Sequence, residues 1–356
     1  MDPIERHPTL ELRRSSGQSK NLRRLKLAAA FLTLGGVALF AYFVYSVGIA
    51  ELVAGIERFG LAGLLVILLV FFVRIVIRSW AWTLSVFEPY SLGLRDAVPA
   101  VIIGETMSSL IPLGILISGT SKAVAVRARV PLVVGLSSVA TENLFYSLTT
   151  GIFLIAGGLT LASAFVLDDY SMVIIYVLLA GLALFLIFLF LMVLRQWHFA
   201  SESCEWLFKR GHLRRILENG RLDVRLFENM IYGFYRQYPN RFLPICLLEA
   251  FYHILGIFEV WYVLGRLSDV APSLLTAFLL ESVSRMITII FKLIPFVIGV
   301  DEAGAEFVSK TVALTAGIGL TLAIIRKARI LFWTLIGLLI MAKRGLSFND
   351  LSSRAR

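Results

Sequence analysis

Two membrane-length apolar runs in this chain break around a proline, and charged residues gather beyond each break. The first passes from Ile103-Gly104-Glu105 through Ile111-Pro112-Leu113-Gly114 to Gly119-Thr120-Ser121-Lys122. The second passes from Arg285 through Lys292-Leu293-Ile294-Pro295 to Gly299-Val300-Asp301-Glu302-Ala303-Gly304. Lipid cannot satisfy the backbone groups that a broken helix leaves open. Such breaks persist only where they are buried in protein or line a polar cavity. A pair of interrupted segments at matching places in two halves points to a transport site.

The apolar character extends well beyond these runs. Hydrophobic residues make up 58% of 356 positions and the mean hydropathy is +0.83, which predicts a polytopic membrane protein. The net charge of +10 is unevenly spread. Residues 1–26 hold seven Lys/Arg against three acids, the segment Arg195–Arg241 holds nine against five, and the tail from Lys343 holds four against one. The connections near Ala50–Gly60, Thr160–Ser171 and Gly265–Pro272 hold two basic residues and five acids. Basic loops mark the cytoplasmic side, with attraction to anionic headgroups as a secondary effect. The charge therefore reads as topology, and no nucleic-acid partner is expected. Cys204 and Cys246 form no CxxC, so neither a disulfide framework nor a cysteine metal site is supported.

Spans follow from these signals. Leu27 to Gly48 is longer than the apolar core of a signal peptide and reads as a retained first span. Span two, about Leu61–Phe87, carries Arg74 and Arg78 on one face, with Trp80 and Trp82 where an aromatic belt would sit. Either both arginines snorkel to headgroups, or Arg74 faces a polar interior. The first broken element joins Leu94–Leu110 to Ile115–Val126. The charge rule keeps Lys122, Arg127 and Arg129 inside if it is a re-entrant hairpin. Pro131 to about Gly158 and Met172–Leu194 are the next two spans. The segment after them repeats Leu222, Leu226, Phe227, Met230, Ile231 and Phe234 at helical spacing. It reads as an interfacial elbow on the membrane or as a helix packed on the protein's own cytoplasmic face. Span five is Phe242 to about Leu264. The second broken element runs Ser273–Ile294, an interruption Pro295–Gly304, and a return Phe307–Gly317. A last span ends near Met341.

The expected fold is an all-α polytopic membrane protein with about six full transmembrane helices plus two re-entrant broken-helix hairpins in an inverted repeat. Residues 1–26 form a cytoplasmic basic tail and 343–356 a second cytoplasmic tail. Residues 27–342 form one transmembrane domain, with halves at about 27–165 and 171–342 and an amphipathic elbow at about 196–241. Both termini would lie in the cytoplasm, and the membrane would be a bacterial-type inner (plasma) membrane.

Ionisable residues inside spans are costly and face a cavity or each other. Here they are Glu105, Lys122, Glu142, Glu249, His253, Glu259, Glu281, Arg285, Lys292, Asp301, Glu302, Arg326 and Arg329. Spacing allows Glu281–Arg285 and Glu249–His253 to pair. Lys122 and Asp301/Glu302 lie beside the broken helices, where a helix N-terminus with Lys122 could hold a phosphate. Arg326, Lys327 and Arg329 are either buried functional charges or a misplaced span boundary. The chain lacks HExxH, GxSxG and P-loop motifs, and its histidines are scattered. No enzyme activity, cofactor or metal is expected, and no nucleotide-binding domain is visible.

At this point the residues resemble a known family, the membrane domain of lysylphosphatidylglycerol synthases, also called flippase-like proteins. The likeness runs from about Leu61 to Met341. The family's first signature is roughly Asn-x-Leu-x-Pro, then Gly-Glu and an Arg, with Glu-Arg-x-x-Asp in the next span. It is similar to Ser108-Ser109-Leu110-Ile111-Pro112, Gly119-Thr120-Ser121-Lys122 and Glu142-Asn143. The second, roughly Pro-Gly-Gly-x-Gly-x-x-Glu-Ala, is matched at Pro295, Gly299, Glu302 and Ala303. Departures are Ser108 for Asn, Thr120 for Glu, Lys122 for Arg, Asn143 for Arg, Tyr146 for Asp, and Phe296-Val297 for the glycine pair. Lys for Arg keeps the charge but loses bidentate phosphate recognition.

The resemblance implies a lipid flippase or scramblase that passes an anionic headgroup between the two hairpins. Glu105, Pro112, Lys122, Glu142, Arg285, Pro295, Asp301 and Glu302 would lie along the path, with Arg74, Glu281 and Arg326 as secondary candidates. Membrane lipids are the expected partners, and a lipid-modifying enzyme is a further one. An ion-coupled solute transporter, or a subunit presenting a lipid-linked precursor to an enzyme, are the alternatives. Bifunctional members also carry a soluble aminoacyl-transferase domain. The chain ends soon after the last span, so lipid aminoacylation is not expected of it.

Overall fold

A computed structural model describes residues 42, 45, 49–110, 114–165, 168–210, 214–268, 271–291, 299–312, 314 and 317–344. Among these residues the chain is all helical: eleven α-helices and one 3-10 turn, with no strand. They are α1 Ile49–Leu84, α2 Leu94–Leu110, α3 Gly114–Ala125, α4 Leu132–Ala164, α5 Asp169–Leu194 and α6 Phe199–Lys209. There follow α7 Arg214–Gln237, the turn Pro239–Arg241, α8 Phe242–Leu267, α9 Leu274–Ile290, α10 Val300–Thr311 and α11 Ile318–Lys343. Apart from Tyr42, Tyr45, Lys343 and Arg344, the expected first span and both tails lie outside the described residues, as do Pro112, Lys292 and Pro295.

Among the described residues, four stretches are long and apolar enough to cross a membrane: Val53–Leu84, Leu132–Ala164, Asp169–Leu194 and Pro239–Leu267. The expectation was about six full spans. Of Leu27–Gly48 only Tyr42 and Tyr45 are described, and α11 carries Arg326, Lys327 and Arg329 along its first half. Helix α5 makes the membrane setting plain. Its most apolar window has mean hydropathy 3.2 and is 0% buried, and a bare apolar helix of that length needs lipid around it.

Several boundaries differ from the sequence reading, each for a local reason. The acidic connection expected at Ala50–Gly60 is helical, and the chain breaks only at Gly60 (φ 69°, ψ 172°). Helix α4 continues past Gly158 to Ala164, since nothing between them stops a helix. Residues 301–304 are not part of the second interruption. Gly299, at φ 84°, ends it, and Val300 starts α10. Only glycine adopts that conformation without strain. The Gly299 N–H then donates to Glu302 Oε2 at 2.8 Å, closing the first turn. Asp301 and Glu302 therefore sit on an ordered helical turn. Helix α10 stops at Thr311 instead of running on to Gly317.

Asp168 caps α5 by accepting from the Ser171 Oγ–H at 2.7 Å and the Ser171 N–H at 3.0 Å. These bonds, the hydroxyl's first, hold the Asp168 carboxyl below its ordinary range. The cap is complete above the usual carboxylate pKa and is lost as pH falls through the lowered value.

The expected elbow is two helices, and α7 packs on α4. Phe234 is fully buried against Phe87, Phe145 and Phe242, and Ser137 donates to Met230 Sδ at 3.6 Å. Of the two readings of this segment, the helix packed on the protein is the one found. Trp82 is not in an aromatic belt: it is fully buried and donates to Ser138 Oγ at 3.0 Å.

The helices of each interrupted element, α2 with α3 and α9 with α10, pack on one another, and α11 packs on both α2 and α10. The helices that flank the two breaks thereby meet around one space.

Candidate functional site

Helix α1 carries Arg74 and Arg78 four residues apart, so both face inward, and neither snorkels. Arg74 is 1% exposed. It donates to Glu259 Oε2 at 3.1 Å and Glu281 Oε1 at 3.4 Å, and its guanidinium lies 4.2 Å from the Tyr252 ring centroid. Arg78 donates to Glu105 Oε1 at 2.8 Å, Glu142 Oε1 at 3.0 Å and Asn143 Oδ1 at 3.4 Å. Its guanidinium stacks 4.4 Å over Tyr146.

Each arginine anchors a network. Around Arg74, Glu281 accepts from Arg285 at 2.7 Å and from Arg326 at 2.6 Å, while Glu259 accepts from Arg329. Four arginines thus share two carboxylates, with every member mostly buried. Gly256 permits the packing: a Cβ there would lie 2.5 Å from Glu281 Oε1 and 3.1 Å from an Arg74 nitrogen. Around Arg78, Lys122 Nζ comes to 3.8 Å from Glu142 Oε2. A third cluster joins Lys327 to Glu302 at 2.6 Å and Asp301 at 4.0 Å. The sequence offered two explanations for the charges of α11, and they are buried and ion-paired. The expected Glu281–Arg285 pair is present. The expected Glu249–His253 pair is not, because His253 Nε2 is 3.0 Å from Thr150 Oγ1 instead.

The networks enclose a cavity of about 630 Å³. Its charged lining is Arg78, Arg285, Arg326 and Arg329 against Glu105 and Asp301. Ser109, Ser118, Asn143, Tyr146 and Tyr252 are among the uncharged polar residues of the lining, and apolar residues such as Phe71, Leu182 and Ile289 also contribute. Both broken elements contribute: α2 and α3 through Ser109 and Ser118, α9 and α10 through Arg285 and Asp301. The lining thus presents four guanidiniums and two carboxylates, and guanidiniums are planar donors of the kind that match phosphate or carboxylate oxygens.

The sequence-derived candidates divide into two layers. Glu105, Arg285, Asp301 and Arg326 line the cavity. Lys122, Glu142, Glu281, Glu302 and Arg74 sit behind its wall, fixing the side chains that do. Arg78 and Tyr252 were missed as site residues, although the four-residue spacing of Arg74 and Arg78 was a usable signal. Glu302→Gln keeps a cap acceptor but strips Lys327 of its short ion pair. It is expected to cost about 3 kcal/mol, read as a lower thermal unfolding midpoint in detergent.

The residues at the breaks and in this cavity all fall within the stretch that one family model matches. No curated protein and no solved structure matches the chain. The family model described as lysylphosphatidylglycerol synthase TM region matches residues 25–337. The chain is therefore a polytopic membrane protein belonging to the lysylphosphatidylglycerol synthase transmembrane-region family.

Proposed function

We propose that the protein is a lipid flippase or scramblase of an inner membrane, carrying an anionic headgroup through the arginine-lined cavity while the acyl tails stay in the bilayer. The observation that carries this reading is the lining itself. Four guanidiniums face two carboxylates in a space among membrane helices. A volume of about 630 Å³ suits a headgroup better than a bare ion.

The pairing of α2 with α3 and of α9 with α10 supports two re-entrant hairpins, and their joint contribution to one cavity supports an inverted repeat centred on it. The charge asymmetry of the loops supports cytoplasmic termini. Tyr146 and Asn143 stand where the family signature usually has Asp and Arg, and both touch Arg78. That favours a headgroup of this chain's own.

Reconstitution tests the reading. Vesicles containing the purified protein should move fluorescent phosphatidylglycerol between leaflets faster than protein-free vesicles, and Arg285→Gln should slow that movement. No acceleration across anionic and zwitterionic lipids would remove it. Stable co-purification of a lipid-modifying enzyme without lipid movement would favour a presenting subunit instead.

A further inference from the structure

Behind the cavity wall, Glu249 of α8 is fully buried, and among the described residues neither of its carboxyl oxygens has a hydrogen-bond donor. Helix α8 packs on α4, the helix of Glu142, and one turn beyond the two acids Tyr146 stacks on His253 with ring centroids 5.9 Å apart, which brings the two carboxyls toward each other. Glu142 Oε2 likewise lacks a hydrogen-bond donor, although Lys122 Nζ stands 3.8 Å away. Three buried acceptor oxygens on two packed helices thus lack a donor. Two buried carboxylates side by side repel when both are ionised, and a single proton shared by the pair removes the repulsion and supplies the missing donor.

The charged groups facing the pair are Arg78 and Lys122, with Glu105 on Arg78's far side. A proton on the pair lowers the negative charge these two cations must offset. Helices α9 and α11 also pack on α8, but Glu281, Arg285 and Arg329 there belong to the Arg74 network. On α8 itself, Cys246 lies one turn from Glu249, and His253 is engaged by Thr150.

We propose that Glu142 and Glu249 form a proton-binding site, coupled through Arg78 to the anion site, so that a proton and an anionic headgroup bind together. Arg78 is the physical link: it bonds Glu142 on one side and lines the cavity on the other. With the proton present, Arg78 can turn part of its guanidinium toward an anion. Once the proton leaves, the pair carries two negative charges, draws Arg78 and Lys122 to itself, and repels the anion. An inward proton gradient would then drive the anion inward with no net charge moved. The shared proton rests on the buried carboxyl oxygens that lack a donor, and its coupling to a headgroup rests on the transport reading above.

The experiment uses the purified full chain in detergent with dihexanoyl-phosphatidylglycerol as the soluble probe, titrated across a mildly acidic to alkaline pH series. Affinity should weaken by about tenfold per pH unit once the pair loses its proton, the slope for one linked proton. Glu249→Gln, which mimics the protonated acid, should flatten that slope. Infrared spectroscopy should show a protonated carboxyl band in the wild type that is lost in Glu249→Gln. A pH-independent affinity overturns the coupling while leaving lipid transport standing. Absence of the band overturns the shared proton. If the probe does not bind at any pH, the coupling falls together with the anion reading, and the infrared band still decides the proton site.

Discussion

Glu281→Ala is expected to destabilise the protein more than any other single change in the site. One carboxylate accepts from Arg74, Arg285 and Arg326, and these arginines have few alternatives. Arg74 keeps Glu259, which Arg329 already shares. Arg285 and Arg326 have no other acid within ion-pair distance among the described residues. Breaking a buried ion pair leaves an uncompensated charge and costs roughly 3–5 kcal/mol. With three cations stranded, the upper end, about 5 kcal/mol, is the expected value. Thermal unfolding in detergent measures it, and Glu281→Gln should recover little because a neutral amide cannot offset three charges. A midpoint unchanged from wild type would mean that the Arg74 network is not what joins α1, α8, α9 and α11.

Arg78→Ala is expected to give the largest loss of lipid movement. Arg78 is the one arginine that holds both the α2 and α4 walls while facing the cavity. Removing it takes a donor from the path and leaves Glu142 facing Lys122 alone among the cations, so the anion loses a donor and gains negative charge nearby. A hydrogen bond to a charged group contributes about 1.5–3 kcal/mol. The corresponding loss in rate is roughly 10- to 100-fold, and repulsion from Glu142 adds to it. Arg78→Lys keeps the charge without the planar fork and should fall between the two. Flux measured in vesicles at matched protein content checks the order. Equal flux in all three would take Arg78 out of the path.

Much of the fold was legible because hydrophobic length and charge asymmetry act locally. The bounds of α2 and the end of α5 at Leu194 matched the expected limits. Gly60 lay hidden, since a glycine inside a long apolar helix does not announce a positive φ. The second interruption was drawn too long because Asp301 and Glu302 look like loop residues in sequence. Their helical role depends on the Gly299 turn and the Glu302 cap.

For the site, the list of buried charges was readable, since charge within an apolar run is conspicuous. Their partners were not. Arg74 reaches Glu259 and Glu281 across separations of 185 and 207 residues, which no local pattern encodes. Arg78 looked like a snorkelling residue because it stands near a span end with tryptophans after it, and only the packing of α2 and α4 turns it into a hub.

The central claim is that the headgroup passes through the cavity between the two broken elements, and filling that cavity tests it most directly. In a Cys204→Ser/Cys246→Ser background, Ser109→Cys places one thiol in the cavity lining and Leu184→Cys places one on the exposed face of α5. After reaction with a bulky maleimide, lipid movement should stop in the Ser109→Cys protein and continue in the Leu184→Cys protein. Undiminished movement with Ser109→Cys fully labelled would contradict the account.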